Sequence, residues 1–284
     1  MPVILACTDG STYATSVYQH ASWAANRLEA RVEVLHVLDH HRERAPGFDF
    51  SGAIGMDASA RLTEELAKLE EEQGRIQRLK GKAVLEDARH QLSAAGVTEV
   101  AATQRHGTLV ETLAELEPNC DLVVIGKRGE HADFDKGHLG GSLERVIRTA
   151  VRPVLVASRA FNPIESFMVA CDGGPSVTRA LEFLRGSPLL QGAACHLLRA
   201  GQVDDKAKRA LEDEAEKLRA AGFAVTTHTC AGQPEDVIAD AVKRENINLL
   251  VMGAYGHSPI RSFILGSTTT QMVRTCLVPV LMFR

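Results

Sequence analysis

Glycine and hydroxyl residues with the chemistry of an anion site follow an apolar run near the carboxyl end of the sequence. Gly253 and Gly256 close the run, and after nine more residues Gly266–Thr268 opens a segment with helical spacing. Paired glycines let the backbone approach a ligand closely, and a helix start offers N–H groups and the positive end of its dipole. His257 adds a proton donor between them. Each piece alone is also typical of a glycine turn with a serine cap, but together they predict an anion site.

The surrounding elements occur twice in the chain. An apolar run ends in Asp9-Gly10 near the start, and another ends in Asp172-Gly173 in the middle of the chain. The run at 121–126 returns at 248–253, and the Pro-Val strand at 151–157 returns at 277–283. Self-similarity at this spacing indicates a duplicated unit. We therefore predict two domains, residues 1–160 and 161–284.

The first copy is longer. Pairing Leu35-His36-Val37 with Cys195-His196-Leu197 gives an offset of 160, which falls to 125 for Gly107 and Gly232. About 35 residues, near 40–75, are therefore an insertion. The whole stretch between the second strand and Gly107 holds a polar loop and then a charged run from Ala58 to Ala95 whose apolar residues have near-helical spacing. Those residues are Leu62, Leu66, Leu69, Ile76 and Leu79.

A single helix over this run would be roughly 57 Å long at 1.5 Å per residue. We expect it either to break at Gly74 and Gly81 or to protrude. We favour a helix that packs through its apolar stripe over an arm that binds a partner.

Apolar strands alternate with helical segments throughout the second copy. The predicted strands lie near 167–171, 194–199, 223–230, 248–253 and 278–283. The predicted helices lie near 176–185, 205–221, 234–244 and 267–275. Strict alternation predicts an α/β fold of two tandem doubly wound domains, each with a five-stranded parallel sheet. Ligands of such sheets bind beyond the carboxyl ends of the strands, where the strand order reverses.

At these loops the chain resembles the universal stress protein family in its tandem two-domain form. The family's pattern G-x2-G-x9-G-[ST] is matched without a gap by Gly253, Gly256, Gly266 and Ser267. The Asp-Gly after the first strand, Gly232-Gln-Pro234 and Pro279-Val280 also match. The resemblance covers nearly the whole chain and implies a Rossmann-like fold of the adenine nucleotide alpha hydrolase type.

The resemblance also implies a site for ATP, alone or with Mg²⁺, in the second copy. Asp172 and Gly173 would lie beside the sugar or base, and the backbone of Leu197 would touch adenine. The implied phosphate site comprises Gly253, Gly256, His257, Gly266, Ser267 and Thr268.

The first copy departs from this pattern. Eleven residues separate Gly129 from Gly141, and the position expected for glycine holds Leu139. Acidic residues in this loop would repel phosphates. We therefore expect ATP in the second copy rather than the first. The corresponding weaker candidates are Asp9, Val37, Gly126, Gly129, Gly141 and Ser142.

The same loop of the first copy carries nitrogen and oxygen donors that a zinc-like ion would accept. These are His131, Asp133, Asp135 and His138. Loops of this composition are more often solvated, so we predict no metal ligand there.

Composition excludes several classes of function. Lysine and arginine number 32 against 36 acidic residues, and aromatic residues make up only 5% of the chain, so we expect no nucleic-acid partner. No apolar run approaches the ~20 residues that span a bilayer. The six scattered cysteines are typical of free thiols in a cytoplasmic protein. The dinucleotide fingerprint, the P-loop and the nucleophile elbow are absent.

The leading hypothesis is a cytoplasmic stress-response protein whose ATP occupancy governs its conformation or its unknown protein partner. We expect no enzyme activity, since no general base is evident. The alternatives are a scaffold of the same fold without nucleotide, and a slow ATPase. The two copies are expected to form an internal pseudo-dimer through the strands around Val154 and Val280, and a homodimer of the whole chain is plausible.

Overall fold

The structure is a computed structural model that describes residues 1–38, 56–127, 141–254 and 266–284, with the backbone alone for 56–60. Its first half contains five described strands, β1 (Val3–Cys7), β2 (Arg31–Leu38), β3 (Val100–His106), β4 (Leu122–Gly126) and β5 (Val154–Ala157). The helices described between them are α1 (Ala14–Leu28), α2 (Met56–Ala94), α3 (Leu109–Leu116) and α4 (Gly141–Thr149).

The second half repeats this order. Its strands are β6 (Ser166–Ala170), β7 (Ala194–Ala200), β8 (Val225–Cys230), β9 (Leu249–Gly253) and β10 (Val280–Phe283). Its helices are α5 (Pro175–Gly186), α6 (Asp205–Ala220), α7 (Pro234–Arg244) and α8 (Ser267–Thr275). Every strand and helix that we predicted in this half is present, with ends that differ by a few residues at most.

All ten strands form one sheet in the order β3-β2-β1-β4-β5-β10-β9-β6-β7-β8. Neighbours within each half are parallel, which confirms the α/β fold class. The halves meet where β5 pairs antiparallel with β10, with Leu155 opposite Leu281. The predicted pairing of the strands around Val154 and Val280 is therefore confirmed, and it joins two five-stranded sheets into one.

Helices cover both faces of the sheet, so the central strands are apolar at successive positions. Ile4 of β1 faces the core under α1, α2, α5 and α6, whereas Leu5 faces the core under α3, α4, α7 and α8. Both side chains are at most 1% exposed. Parallel strands buried on both faces require this continuous apolar composition.

The long helix α2 is continuous, so Gly74 and Gly81 are not break points. Gly81 packs so closely on the sheet that a Cβ there would lie 2.8 Å from His36 Cδ2 and 2.3 Å from Gln104 Nε2. Tertiary packing of this kind overrides the cost of about 1 kcal/mol that glycine brings to a helix. Of our two expectations, the protruding helix is the one that the structure shows.

The predicted packing stripe of α2 is wrong. Helix α2 packs through a different face, on which Leu85, Ala88 and Leu92 are buried. Of the five residues that we expected to pack, Leu62 is partly buried, and the other four are 42–59% exposed, namely Leu66, Leu69, Ile76 and Leu79. Their helical spacing was recognised correctly, but spacing alone does not say which surface a stripe meets.

Strand registers also correct the alignment of the two halves. Cys7 of β1 lies opposite Leu35, and Ala170 of β6, which like Cys7 stands just ahead of the Asp-Gly turn, lies opposite Leu198. Leu35 is therefore equivalent to Leu198 rather than to Cys195, and Val37 is equivalent to Ala200. Thr103 pairs with Leu35 and His228 with Leu198, so the extra length of the first half is slightly greater than our alignment suggested.

Candidate functional site

A cleft of about 510 Å³ opens at the carboxyl edge of the sheet in the second half, between α5 and α6. The strand order reverses here, because β6 lies between β9 and β7. The loop after β6 forms one wall through Asp172 and Gly173, and Arg199 of β7 lines the cleft beside it. Two small residues of α6, Ala207 and Ala210, line the side formed by that helix.

Asp172 is fixed by the turn that it forms after β6. Its Oδ1 accepts a hydrogen bond of 2.7 Å from the N–H of Gly174, and Gly173 between them has φ +78°. Gly174 then begins α5, with proline as the first helical residue. Arg199 Nη1 donates to the carbonyl of Cys171 at 3.0 Å, which ties β7 to the same turn. The carboxylate of Asp172 is therefore held at the cleft by the backbone.

The cleft carries charges of both signs. Arg199 and Lys206 are basic, whereas Asp172, Asp204 and Glu214 are acidic.

Glu214 is paired by two cations that are not among the lining residues. Arg185 and Lys217 lie 2.9 and 2.7 Å from its carboxylate oxygens. Partial burial opposes its ionisation, but these two hydrogen bonds hold the pKa of its carboxyl below the usual value. Much of the negative charge of Glu214 is thereby compensated.

The anion site that the sequence predicts at Gly266–Thr268 is the start of α8. Gly266 is the N-cap residue, and no side chain caps the helix within the described residues. Ser267 is exposed, and the hydroxyl of Thr268 donates to Glu235 Oε2 at 3.3 Å. The first N–H groups of a helix have no intrahelical acceptor, so they suit an anionic ligand.

Gly253, the last residue of β9, lies in contact with the first turn of α5 and the first turn of α8. A Cβ on Gly253 would lie 2.9 Å from Ser176 Cβ, so only glycine lets α5 approach so closely. The hydroxyl of Thr269 donates to the carbonyl of Gly253 at 3.1 Å. These contacts place the end of β9, the first turn of α5 and the first turn of α8 together. A Cβ at Gly266 would meet nothing closer than Thr269 Oγ1 at 3.5 Å, so the space beside it is not filled by the described protein atoms.

Not every predicted site residue lies at this edge. Leu197 is fully buried inside the sheet and is not a lining residue of the cleft. The register gives Ala200 the position on β7 that Val37 holds on β2. Leu197 was chosen by an alignment displaced by three residues. Gly256 and His257 lie outside the described residues.

The first half has the same turn in a different setting. Asp9 Oδ1 accepts from the N–H of Ser11 at 2.9 Å, and Gly10 has φ +72°. Helix α2 covers this turn, since a Cβ on Gly10 would lie 2.5 Å from Val84 Cγ2. The open cleft of the second half is thus replaced here by a contact between a helix and a loop.

The other first-half candidates are only partly described. Gly126 ends β4, while Gly141 and Ser142 begin α4. Lys127 Nζ donates to the carbonyl of Cys276, which links the loop after β4 to the other half of the chain. Gly129 lies outside the described residues. So do the loop donors considered for a metal, His131, Asp133, Asp135 and His138.

The sequence did carry a signal for the difference between the halves, which we missed. The buried leucines of α2, Leu85 and Leu92, match Leu211 and Leu218 of α6 at an offset of 126. The same offset pairs Val84 with Ala210. A branched side chain therefore stands over the turn in the first half where the second half has a methyl group. Arg199 was also missed, because it was not part of any recognised pattern.

Comparison with known proteins agrees with this duplicated architecture. The profile of the universal stress protein family matches residues 1–158 and, a second time, residues 164–284. The chain belongs to the universal stress protein family. Universal stress protein Slr1230 of Synechocystis is 37% identical over 287 residues, covering 100% of both chains.

Two further relatives match nearly the full length of this universal stress protein. Universal stress protein Rv1996 of Mycobacterium tuberculosis is 25% identical over 306 residues, covering 99% of this chain and 94% of its own. A crystal structure of a universal stress protein from Archaeoglobus fulgidus superimposes with a TM-score of 0.73 at 22% identity, covering 99% and 96% of the two chains. This structural likeness shows the fold alone.

None of the helices in the described ranges of this universal stress protein combines the length and the apolar character that crossing a membrane needs.

Proposed function

We propose that this universal stress protein binds ATP in its second half and acts in the cytoplasm as a nucleotide-dependent regulator. The observation that carries the proposal is the difference between the halves. The Asp172–Gly173 turn borders an open cleft, whereas Val84 closes the equivalent turn at Gly10. We therefore expect one nucleotide per chain.

The residues of the second half fit an adenine nucleotide. A cleft of about 510 Å³ lies within the range of 300–1,000 Å³ usual for small-molecule sites. The carboxylate of Asp172 is oriented to accept hydrogen bonds from ribose hydroxyls or an amino group. The uncapped start of α8 suits phosphates, and the open space beside Gly266 lets them approach the backbone. Mg²⁺ would neutralise phosphate charge if it accompanies the nucleotide.

The proposal favours binding over catalysis. Fast hydrolysis needs a group that positions water and another that stabilises the developing charge. Asp172 Oδ1 accepts a hydrogen bond from the N–H of Gly174, and we assign this carboxylate to the sugar or base rather than to an attacking water. Occupancy of the cleft would instead bring α6 and the turn after β6 into contact with one ligand. A partner that recognises this arrangement would then sense the nucleotide.

Calorimetry of ATP binding with two matched variants tests the proposal. Gly266→Val places a branched side chain where phosphate must approach the start of α8, and should weaken ATP binding at least tenfold. Gly141→Val makes the same change at the start of α4, where no described atom outside the adjoining helix backbone lies within 4 Å of the added Cβ, and should leave the affinity unchanged. Equal affinity in all three proteins would contradict the proposal.

The same titration separates the alternatives. Absence of ATP binding by the wild-type protein would favour a scaffold that uses the fold without nucleotide. Binding followed by release of phosphate at a rate that Asp172→Ala abolishes would favour an ATPase.

A further inference from the structure

Two histidines and a glutamate form a cluster away from the cleft. His196 of β7 and His228 of β8 are diagonal neighbours on the face of the sheet that α7 covers, because His228 lies opposite Leu198. His196 Nδ1 and His228 Nε2 are 3.0 Å apart, and the two rings are nearly parallel, with an angle of 9° between their planes and centroids 5.2 Å apart. Glu245 follows the last residue of α7 and completes a set of three ligand atoms that lie within 4.8 Å of one another.

This arrangement has the dimensions of a divalent metal site. Two nitrogens that bind one tetrahedral Zn²⁺ at 2.0–2.1 Å lie roughly 3.3 Å apart, so the histidine pair needs to open by only a few tenths of an ångström. Two histidines and one glutamate are also a ligand set that leaves a fourth position for water. All three side chains are partly exposed, which gives an ion access to the site.

A basic side chain lies beside the cluster. Arg244 Nε lies 2.9 Å from Glu245 Oε1 and competes with a cation for that carboxylate. Because Arg244 is an exposed neighbour in sequence, its side chain can move aside without disturbing the core.

We propose that His196, His228 and Glu245 bind a divalent transition-metal ion such as Zn²⁺, which fastens the edge strand β8 to β7 and to the end of α7. The proposal is independent of nucleotide binding, because the cluster shares no residue with the cleft.

Calorimetric titration of Zn²⁺ into the full-length, tag-free protein tests this assignment. The chain holds 11 histidines, so Zn²⁺ can also bind elsewhere. The assignment is therefore tested by comparing which Zn²⁺ site each variant loses relative to wild type. Glu245→Gln and His228→Gln should each weaken one site at least tenfold. His90→Gln, which changes an exposed histidine on α2, should match wild type. Zn²⁺ affinities that are equal in all four proteins would overturn the proposal.

Thermal unfolding gives a second readout. A metal that binds only the folded chain raises the unfolding midpoint. Zn²⁺ should raise the midpoint of wild type and of His90→Gln more than that of Glu245→Gln. If His228→Gln does not fold, Glu245→Gln still decides the matter, because it alters only a partly exposed side chain outside the core. A Zn²⁺ effect of the same size in Glu245→Gln would overturn the assignment.

Helix α2 carries four large apolar side chains that are exposed, namely Leu66, Leu69, Ile76 and Leu79, which we call the exposed stripe. At 100° per residue this stripe is rotated roughly 140° around the helix axis from the buried face at Leu85, Ala88 and Leu92. It is therefore not a continuation of the surface by which α2 packs on its own domain. Four large apolar side chains exposed on one stripe are typical of an interface rather than of an isolated solvated helix.

The stripe is symmetric along the helix. A two-fold axis that crosses α2 between Glu72 and Gln73 would place Leu69 opposite Ile76 of a second copy. The same axis would place Leu66 opposite Leu79. Two-fold interfaces are self-complementary, so a spacing of this kind suits an antiparallel pair of identical helices.

The charges along α2 are also divided about this axis, with acidic residues on one side and basic residues on the other. Residues 64–72 hold five glutamates and one lysine, whereas residues 75–82 hold four basic residues and no acidic one. The antiparallel pairing would set each acidic stretch against the basic stretch of the other copy, with Glu65 opposite Lys80. A parallel pairing would instead juxtapose like charges. Complementary charge thus favours one partner, a second copy of this chain, in one orientation.

We infer that two copies of the protein associate through the exposed stripe of α2, paired antiparallel about this axis. Sedimentation of the full chain at rising concentration should show a dimer. Leu69→Gln with Ile76→Gln should raise the dissociation constant at least tenfold. Leu277→Gln, at a leucine that is 87% exposed elsewhere, should leave it unchanged. A wild-type monomer at all concentrations, or a dimer insensitive to the double change, would overturn the inference.

Charge reversal tests the orientation. Glu65→Lys and Lys80→Glu should each weaken the dimer, and the two together should restore it, because the pair is then inverted rather than lost. Failure of the double variant to recover would contradict the antiparallel register.

Discussion

His20 is buried between α1 and the segment that connects the two halves. Its Nδ1 lies 2.7 Å from the carbonyl of Ser16, and since a carbonyl only accepts, Nδ1 carries the proton. Nε2 is buried without a hydrogen-bond partner among the described residues. The ring meets Phe161 edge-on, while the hydroxyl of Ser16 donates to the carbonyl of Ser158 at 2.7 Å. A neutral imidazole suits this place, and an imidazolium does not.

The stability of the protein should therefore fall in mild acid. Burial lowers the pKa of His20 to about 4, with the Ser16 carbonyl acting in the opposite direction. Below about pH 6.5 the unfolded chain binds a proton that the folded chain does not bind until about pH 4. Up to about 3 kcal/mol of stability is lost across that window. Chemical unfolding at a series of pH values measures this loss.

His20→Asn keeps a donor for the Ser16 carbonyl but does not titrate. The variant should be less stable at neutral pH, since it leaves a cavity, yet its stability should vary less between pH 6.5 and 4. A variant with the same acid dependence as wild type would show that other groups cause it.

Gly253→Ala tests the close approach of α5 to the end of β9. The added methyl group would lie 2.9 Å from Ser176 Cβ, so we expect a loss of about 1–3 kcal/mol in urea unfolding. Gly266→Ala is the matched control, because its Cβ would make only ordinary contacts. Similar losses in both variants would contradict this view of Gly253.

The sequence was least informative about the positions of individual site residues. The turns at Asp9 and Asp172 follow from glycine chemistry and were placed correctly at the ends of β1 and β6. Leu197 and Ala200 could not be distinguished, since both lie on a strand whose register is fixed by hydrogen bonds to β6 and β8. Gly256 and His257 remain predictions.

Among the helices, α2 and α6 occupy equivalent places in the two halves. At the position beside the Asp-Gly turn, α2 carries Val84 and α6 carries Ala210. Ala210→Leu should fill the cleft and weaken ATP binding at least tenfold with little loss of stability, because residue 210 is exposed. Ala220→Leu, at the exposed last residue of the same helix and away from the lining residues, is the control for nonspecific effects on α6. Unchanged affinity in Ala210→Leu, measured by calorimetry, would show that nucleotide does not enter between α5 and α6.

The sequence predicted where helices and strands lie because their apolar periods are strong and occur twice. It did not predict which way α2 faces. Two stripes on this helix are compatible with packing, and the choice depends on Gly81 and Leu85 meeting the sheet. That choice is a tertiary property, so helical periodicity alone did not contain it.

For the whole molecule, the pairing of β5 with β10 joins the two halves. Leu155 and Leu281 lie opposite each other and are fully buried. A double-mutant cycle with Leu155→Ala and Leu281→Ala should give a coupling energy on the order of 1 kcal/mol in unfolding experiments. Leu155→Ala with Leu198→Ala, which lie on strands far apart in the sheet, should be additive within about 0.5 kcal/mol. Additive effects of Leu155→Ala and Leu281→Ala would contradict the direct pairing of β5 with β10.

The duplication was readable from the sequence, and with it the pseudo-dimer. The altered glycine spacing of the first copy predicted that the halves differ, but not the contact that covers its Asp-Gly turn. That contact depends on one position of aligned helices, Val84 in α2 and Ala210 in α6, which belongs to no recognised pattern.

We propose that nucleotide binds only beside the Asp172–Gly173 turn. Photolabelling of the full chain with an azido-adenine analogue of ATP, followed by peptide mapping, tests this proposal. We predict one label per chain, within residues 171–214 and suppressed by excess ATP. Labelling that ATP suppresses equally around Gly10 and Val84 would contradict it.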